Sequence, residues 1–132
     1  MPQTHGYPGK PLYQKLGMKP GMRVLPINPP SHYYELIDGA EGVEFVSAGP
    51  AEMVHLFCAN RWELEASVGL ALGQVVEGGM LWISWPKKSS KLFVDLTEDD
   101  LRTLVLPTGW VDVKVCAVDA DWSALKFLKR KA

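Results

Sequence analysis

The residues best suited to chemistry lie in one short run. Lys87-Lys88-Ser89-Ser90-Lys91 places three ammonium groups and two hydroxyls directly after Met80 to Trp85 and Pro86. Met80 to Trp85 is nearly continuous apolar sequence, the pattern of a strand covered on both faces, and Pro86 has no N–H with which to prolong a central ladder. In an open α/β sheet, ligands bind in the crevice beyond the carboxyl ends of the strands. Ser84, Trp85 and Lys87, Lys88, Ser89, Ser90 and Lys91 are therefore candidate ligand contacts. Trp85 is placed to cap a pocket, and the lysines suit a small anionic molecule, with a following helix N-terminus nearby. The run lacks the Gly-x-x-x-x-Gly-Lys spacing that wraps phosphates, and short lysine clusters also occur as solvated loops.

A secondary candidate is Asp112, Lys114 and Lys126. If Val118 faces Trp122 across a C-terminal turn, Lys114 falls opposite Lys126, and like charges so placed repel unless a carboxylate or bound anion sits between them. Asp112 is the expected internal partner. His55 falls in an apolar strand and reads as a core histidine; His32 lies near a helix start. The order of residues offers no Ser, His and Asp arrangement, no His-x-x-x-His pair and no carboxylate cluster of metal type, so no metal site is expected. Cys58 and Cys116 are isolated, without CxxC spacing, and read as buried, reduced and unpaired thiols.

These residues must be positioned by a chain of 132 residues, 47% hydrophobic and 22% charged, the size of one ordinary domain with a core. A net charge of −1 supplies no global field for nucleic acid or anionic lipid, so neither partner is expected. No apolar run reaches the ~18 residues of a membrane helix, and Met1 to Lys10 lacks the apolar stretch of a secretory signal; a cytoplasmic location is the expectation.

Residues 1–11, rich in Pro and Gly and holding His5 and Tyr7, read as a flexible arm, and residues 12–132 as a single α/β domain. Leu12 to Leu16 predicts a short helix ended by Gly17. Met22 to Ile27 predicts the first strand, closed by Asn28-Pro29-Pro30. Ser31 is positioned to cap a helix running to about Asp38. Val43 to Ser47 and Met53 to Cys58 predict the next strands. Asn60 with Glu63 predicts the start of the longest helix, running to Glu77 before Gly78-Gly79, with Leu64, Val68, Ala71, Leu72 and Val75 as its apolar stripe. After the basic loop, Thr97 and Asp100 form a capping box for a helix that stops before Pro107, and Asp95 is a further helix-capping candidate. Val111 to Val118 alternates with period two, and Trp122 to Lys129 returns as its antiparallel partner, leaving Lys129-Arg130-Lys131 as a solvated tail.

Strands alternating with helices, then a closing hairpin, predict a three-layer, Rossmann-like α/β fold. Its sheet is mostly parallel, in the order second, first, third, fourth, with the last strand next and the strand holding Cys116 at the edge. This pattern, with Lys19-Pro20-Gly21-Met22-Arg23-Val24-Leu25 leading into strand one, resembles the nucleotide-binding half of class I S-adenosylmethionine-dependent methyltransferases over most of the chain. The blocks Lys15 to Gly21, Met80 to Lys88, Asp95 to Glu98 and Val111 to Asp119 are similar to those of an uncharacterised bacterial family described only as a domain of unknown function.

The methyltransferase resemblance implies a glycine-rich turn after strand one, for backbone approach to the cofactor, and an acidic residue ending strand two. The chain has Pro26-Ile27-Asn28-Pro29-Pro30 and Val46-Ser47-Ala48-Gly49 instead. Asn28-Pro29-Pro30 is similar to the Asn-Pro-Pro-Tyr motif of amino-methyltransferases, but that motif follows their fourth strand.

The sequence therefore favours a non-catalytic, methyltransferase-like binding or interaction domain with an anionic small molecule at Ser84 to Lys91 and no S-adenosylmethionine. The alternative is an S-adenosylmethionine-dependent methyltransferase with an altered cofactor loop; a homo-oligomer through the hairpin edge is a further expectation. If the lysine run holds an anion, replacing Lys87 and Lys88 with alanine abolishes phosphate or ATP binding measured by titration. Such a change leaves urea stability within about 0.5 kcal/mol, whereas Trp85→Ala costs about 3 to 5 kcal/mol.

Overall fold

A computed structural model describes residues 10–131; the arm's residues 1–9, with His5 and Tyr7, lie outside the described residues. In chain order the elements are α1 (Leu12–Leu16), β1 (Arg23–Ile27), α2 (Tyr33–Leu36), β2 (Glu44–Phe45), β3 (Ala51–Phe57), α3 (Arg61–Gly73), β4 (Val75–Pro86), α4 (Glu98–Val105), β5 (Trp110–Ala117) and β6 (Trp122–Lys129). A short 3-10 turn, Leu106–Thr108, follows α4. The sheet order is β2-β1-β3-β4-β6-β5, with β2, β1, β3 and β4 parallel and the C-terminal hairpin antiparallel. This is the order expected from right-handed crossovers.

Because successive strand residues face opposite ways, the sheet supports two apolar layers. On one face Leu25, Val54, Leu56, Leu81, Ile83 and Phe127 pack beneath Leu64 and Val68 of α3 and Leu101 and Val105 of α4. On the other, Val24, Met53, Phe57, Trp82 and Ala124 pack beneath Leu12 and Leu16 of α1 and Tyr33 of α2. Trp82 is fully buried, and its indole N–H donates to the carbonyl of Leu16 at 2.9 Å. This bond satisfies a polar group that burial would leave costly and ties α1 to the central strand. Cys58 and Cys116 are free and buried, with β4 and β6 lying between β3, which Cys58 directly follows, and β5, which holds Cys116; burial pushes the Cys58 thiol up to about 12.

Local signals set several boundaries. Asn60 accepts from the N–H of Glu63 at 2.9 Å, and Glu63 accepts from the N–H of Ala59 at 2.8 Å. Thr97 and Asp100 form the full reciprocal capping box. Asp95 serves α3 rather than the helix that follows it, accepting from the N–H of Arg61 at 3.0 Å. Ser31 is not a cap: His32 occupies that position, and its side chain makes no capping bond to the helix. The second strand contracts to two residues.

The largest correction concerns α3, which ends at Gly73 instead of Glu77. Val75 extends the apolar stripe, but Val75 and Val76 are both β-branched and suit a strand, and β4 begins there. The ladder then skips from the Ala51–Val75 pair to the Met53–Met80 pair. This bulge needs glycine, since a Cβ on Gly79 would lie 2.7 Å from the carbonyl oxygen of Glu52.

Beneath α2, Tyr33 Oη lies 3.1 Å from His55 Nδ1, and His55 Nε2 lies 2.7 Å from Ser84 Oγ. His55 and Ser84 are fully buried and Tyr33 nearly so. The His55 ring also stacks on Phe57 with centroids 4.3 Å apart. Burial lowers the His55 pKa to about 3, so the neutral ring donates one of the two bonds and accepts the other. The unfolded chain, with an ordinary histidine, takes up the proton first as pH falls. The stabilisation is therefore complete above about pH 6.5 and is lost towards the folded value, by up to about 1.4 kcal/mol per pH unit. NMR should find the His55 ring signals unchanged from neutral pH to about pH 4.5 while urea stability declines. A His55 ring that titrates like a free imidazole would contradict its buried, neutral state.

Candidate ligand cleft at the carboxyl edge

β1, β3 and β4 all end at one edge of the sheet, and β6 starts there because it runs antiparallel to β4. At this edge a cleft of about 570 Å³ opens between Asn28 and Pro29 after β1, Ala59 after β3, Trp62, Glu63, Ala66 and Ser67 of α3, and Trp122 at the head of β6. Its volume suits a small-molecule site. Its position is the crevice between β1 and β3 from which the chain winds in opposite directions, towards β2 on one side and β4 on the other.

The walls follow from local structure. Asn28 has φ +56°, the left-handed conformation that asparagine tolerates better than most non-glycine residues, so the chain turns sharply after β1 without a glycine. Pro29 and Pro30 offer no N–H to a ligand. Trp62 is 75% exposed and gives the cleft a free aromatic face. Glu63 adds a carboxylate whose Oε1 is held by the N–H of Ala59. Trp122 is mostly buried and packs edge-on against Phe57 with centroids 5.1 Å apart.

The hairpin turn beside Trp122 is tied down by Asp119. Its Oδ1 accepts from the N–H of Asp121 at 2.8 Å and of Trp122 at 2.9 Å, and its Oδ2 lies 3.0 Å from His32 Nε2. Burial pushes the Asp119 carboxyl up, but the His32 bond and the two backbone bonds outweigh it, and its pKa lies below the ordinary value. The basic loop is fastened to the same turn: Lys87 N–H donates to the Asp121 carbonyl at 2.8 Å, and Ser90 Oγ donates to Asp121 Oδ1 at 2.7 Å while accepting from the N–H of Leu92 at 2.9 Å.

The candidate residues are thus divided. Lys88, Ser89 and Lys91 are exposed, and Lys87 and Ser90 half-buried. Ser84 and Trp85 are corrections: Ser84 turns inward to His55, and Trp85 packs in the core beneath α3 and α4 instead of capping a pocket. In the secondary group, Lys114 does face Lys126, but Asp112 is not their partner. A bulge between Asp112 and Lys114 sets Asp112 opposite Phe127, on the other face, where it accepts from Arg102 Nε at 2.8 Å. Lys114 donates instead to the carbonyl of Lys15 at 3.3 Å, and burial followed by the Lys114 charge lowers the Lys126 pKa. Sequence reasoning missed the cleft wall at Trp62, Glu63 and Trp122 and the His32–Asp119 contact. The exposed Trp62 two positions after a helix cap was the one available signal. Among the described residues no cluster suited to a metal comes together, and no helix is long and apolar enough to cross a membrane.

No family model matches the chain, and no curated protein is significantly similar to it in sequence. Solved structures do match its fold. An S-adenosylmethionine-dependent methyltransferase from Aquifex aeolicus superposes with a TM-score of 0.60 at 13% identity, over 88% of this chain and 86% of that one. The fibrillarin pre-rRNA processing protein of Methanococcus jannaschii gives 0.58 at 10% identity, over 97% and 72%. The magnesium protoporphyrin IX methyltransferase of Synechocystis, solved with bound S-adenosylmethionine, gives 0.57 at 10% identity, over 91% and 74%. At such identities the likeness concerns the fold, and the chain has the three-layer α/β architecture of class I S-adenosylmethionine-dependent methyltransferases.

Proposed function

We propose that this protein is an S-adenosylmethionine-dependent methyltransferase that holds its cofactor through an altered loop after β1. The observation that carries the reading is the cleft's position at the β1–β3 switch point of a methyltransferase-type sheet. The residues present fit the nucleoside end of the cofactor. Trp62 would stack on the base, Glu63 would accept from ribose hydroxyls, and the Asn28 side chain would bond the polar remainder. When bound, S-adenosylmethionine supplies an electrophilic methyl group. The left-handed turn at Asn28 supports the altered-loop reading, since it retains the sharp bend usually given by glycine.

One observation favours a second reading. Pro29 lines the cleft without an N–H for a carboxylate or phosphate, and β2 ends at Phe45 where the methyltransferase resemblance implies an acid. A non-catalytic binding domain, with an anionic small molecule at the exposed loop Lys87 to Lys91, accommodates both features.

Isothermal titration with S-adenosylmethionine and S-adenosylhomocysteine distinguishes the two. The first reading expects micromolar binding of both. Trp62→Ala should weaken it about tenfold or more, the effect of losing a base-stacking ring, with stability changed by less than about 0.5 kcal/mol because the ring is largely exposed. Absence of heat with either ligand, alongside saturable phosphate binding, would replace the first reading with the second.

A further inference from the structure

The start of α3 borders the cleft, and its N–H groups are already claimed. The first N–H groups of a helix have no partner within it and, with the positive end of the helix dipole, ordinarily attract a phosphate or carboxylate. Here the protein supplies those acceptors itself. Asp95 Oδ1 accepts from the N–H of Arg61 at 3.0 Å, Asn60 Oδ1 from that of Glu63 at 2.9 Å, and Glu63 Oε1 from that of Ala59, just before the helix, at 2.8 Å. Two carboxylates thus stand where an anionic ligand would otherwise bind. Across the cleft, Pro29 offers no N–H.

The charge of the lining points the same way. Among the described residues that line the cleft, Glu63 is the one charged side chain, and no lysine or arginine joins it. Arg61, the cation at the start of α3, turns its Nε to Asp100 at 3.1 Å. With Oε1 held by Ala59, the Glu63 carboxylate is fixed in place, and no hydrogen bond engages its Oε2 among the described residues. Such a carboxylate accepts from the hydroxyl or N–H groups of a ligand and repels a ligand's phosphate.

We propose that the cleft takes a nucleoside without phosphate and that Glu63 sets this selectivity; the inference rests on the nucleoside reading of Trp62 above and specifies the charge of the ligand. The 5′ substituent meets Asn28, a neutral amide beside Pro29, so an uncharged 5′ group suffices. A phosphate there loses its water without gaining N–H donors and also faces the Glu63 charge. The amino-acid carboxylate of S-adenosylhomocysteine gains little for the same reason, and the nucleoside end carries the affinity. The site thus rejects nucleotides by repulsion, without needing tighter contacts to the nucleoside.

Isothermal titration of the full chain with adenosine, 5′-methylthioadenosine and S-adenosylhomocysteine, followed by displacement of bound 5′-methylthioadenosine with AMP, tests the inference. The three ligands without phosphate should bind within about fivefold of one another, and AMP should compete at least about tenfold more weakly than adenosine. Displacement confines the reading to the cleft and leaves out phosphate held at the lysine loop. Glu63→Gln keeps an Oε1 acceptor for the Ala59 N–H and should retain the thermal midpoint while shrinking the AMP penalty at least about threefold. If that variant unfolds, the wild-type ratio decides. AMP competing within about tenfold of adenosine overturns the inference, as does an unchanged penalty in folded Glu63→Gln. S-adenosylhomocysteine binding more than about fivefold tighter than 5′-methylthioadenosine overturns it too, and leaves the cofactor reading standing. Adenosine and 5′-methylthioadenosine binding where S-adenosylhomocysteine does not, with AMP still excluded, upholds the nucleoside selectivity and removes the cofactor reading alone. Binding by none of the four overturns both.

Discussion

The structure depends on burying β4 on both faces at once. Leu81 and Ile83 fill the layer under α3 and α4, while Trp82 fills the layer under α1 and α2, so neither layer forms without the strand between them. A strand in that position needs paired neighbours on both sides, and β3 and β6 supply them. Its polar groups need partners too. The indole of Trp82 reaches the last carbonyl of α1, and Ser84 reaches His55. The interior thus contains a short polar string, Tyr33 to His55 to Ser84, whose members would each be costly if left alone.

This central strand also creates the cleft. Its parallel pairing with β3 and β1 aligns three carboxyl ends, and its antiparallel pairing with β6 brings a hairpin turn to the same edge. Asp119 then clasps that turn internally and to His32. Asp121 clasps it to the basic loop through Ser90. Segments from three parts of the chain are held together there by directional bonds, which lets loops of ordinary composition form a defined wall.

The chemistry around the cleft is uneven. Its aromatic and acidic wall on α3 suits a nucleoside, while the proline turn after β1 withholds the N–H donors that phosphate and carboxylate groups require. The three lysines of the basic loop stand to one side, and among the described residues no ion pair engages the exposed Lys88 and Lys91. Methyltransferase and binding-domain readings therefore differ in which wall the ligand uses, and both draw on the same edge of one sheet.

What the sequence determined by itself was whatever local chemistry controls. Leu12–Leu16 and Trp122–Lys129 form as read, because a proline before and a glycine after delimit the helix, while a turn of acidic residues delimits the strand. The Thr97–Asp100 box closes as its spacing requires, and alternation of strands and helices with right-handed crossovers leaves few orders besides the observed one. Tertiary structure decided the rest. The ladder with β3 claimed Val75 and Val76 from the helix, since strand pairing outweighed a continued apolar stripe. A single-residue bulge turned Asp112 to the opposite face from Lys114 and Lys126. Ser84 and Trp85 point inward because the strand stays buried up to Pro86. His32 and Asp119 meet only because two strands lie between β1 and β6, a separation that no local pattern of residues encodes.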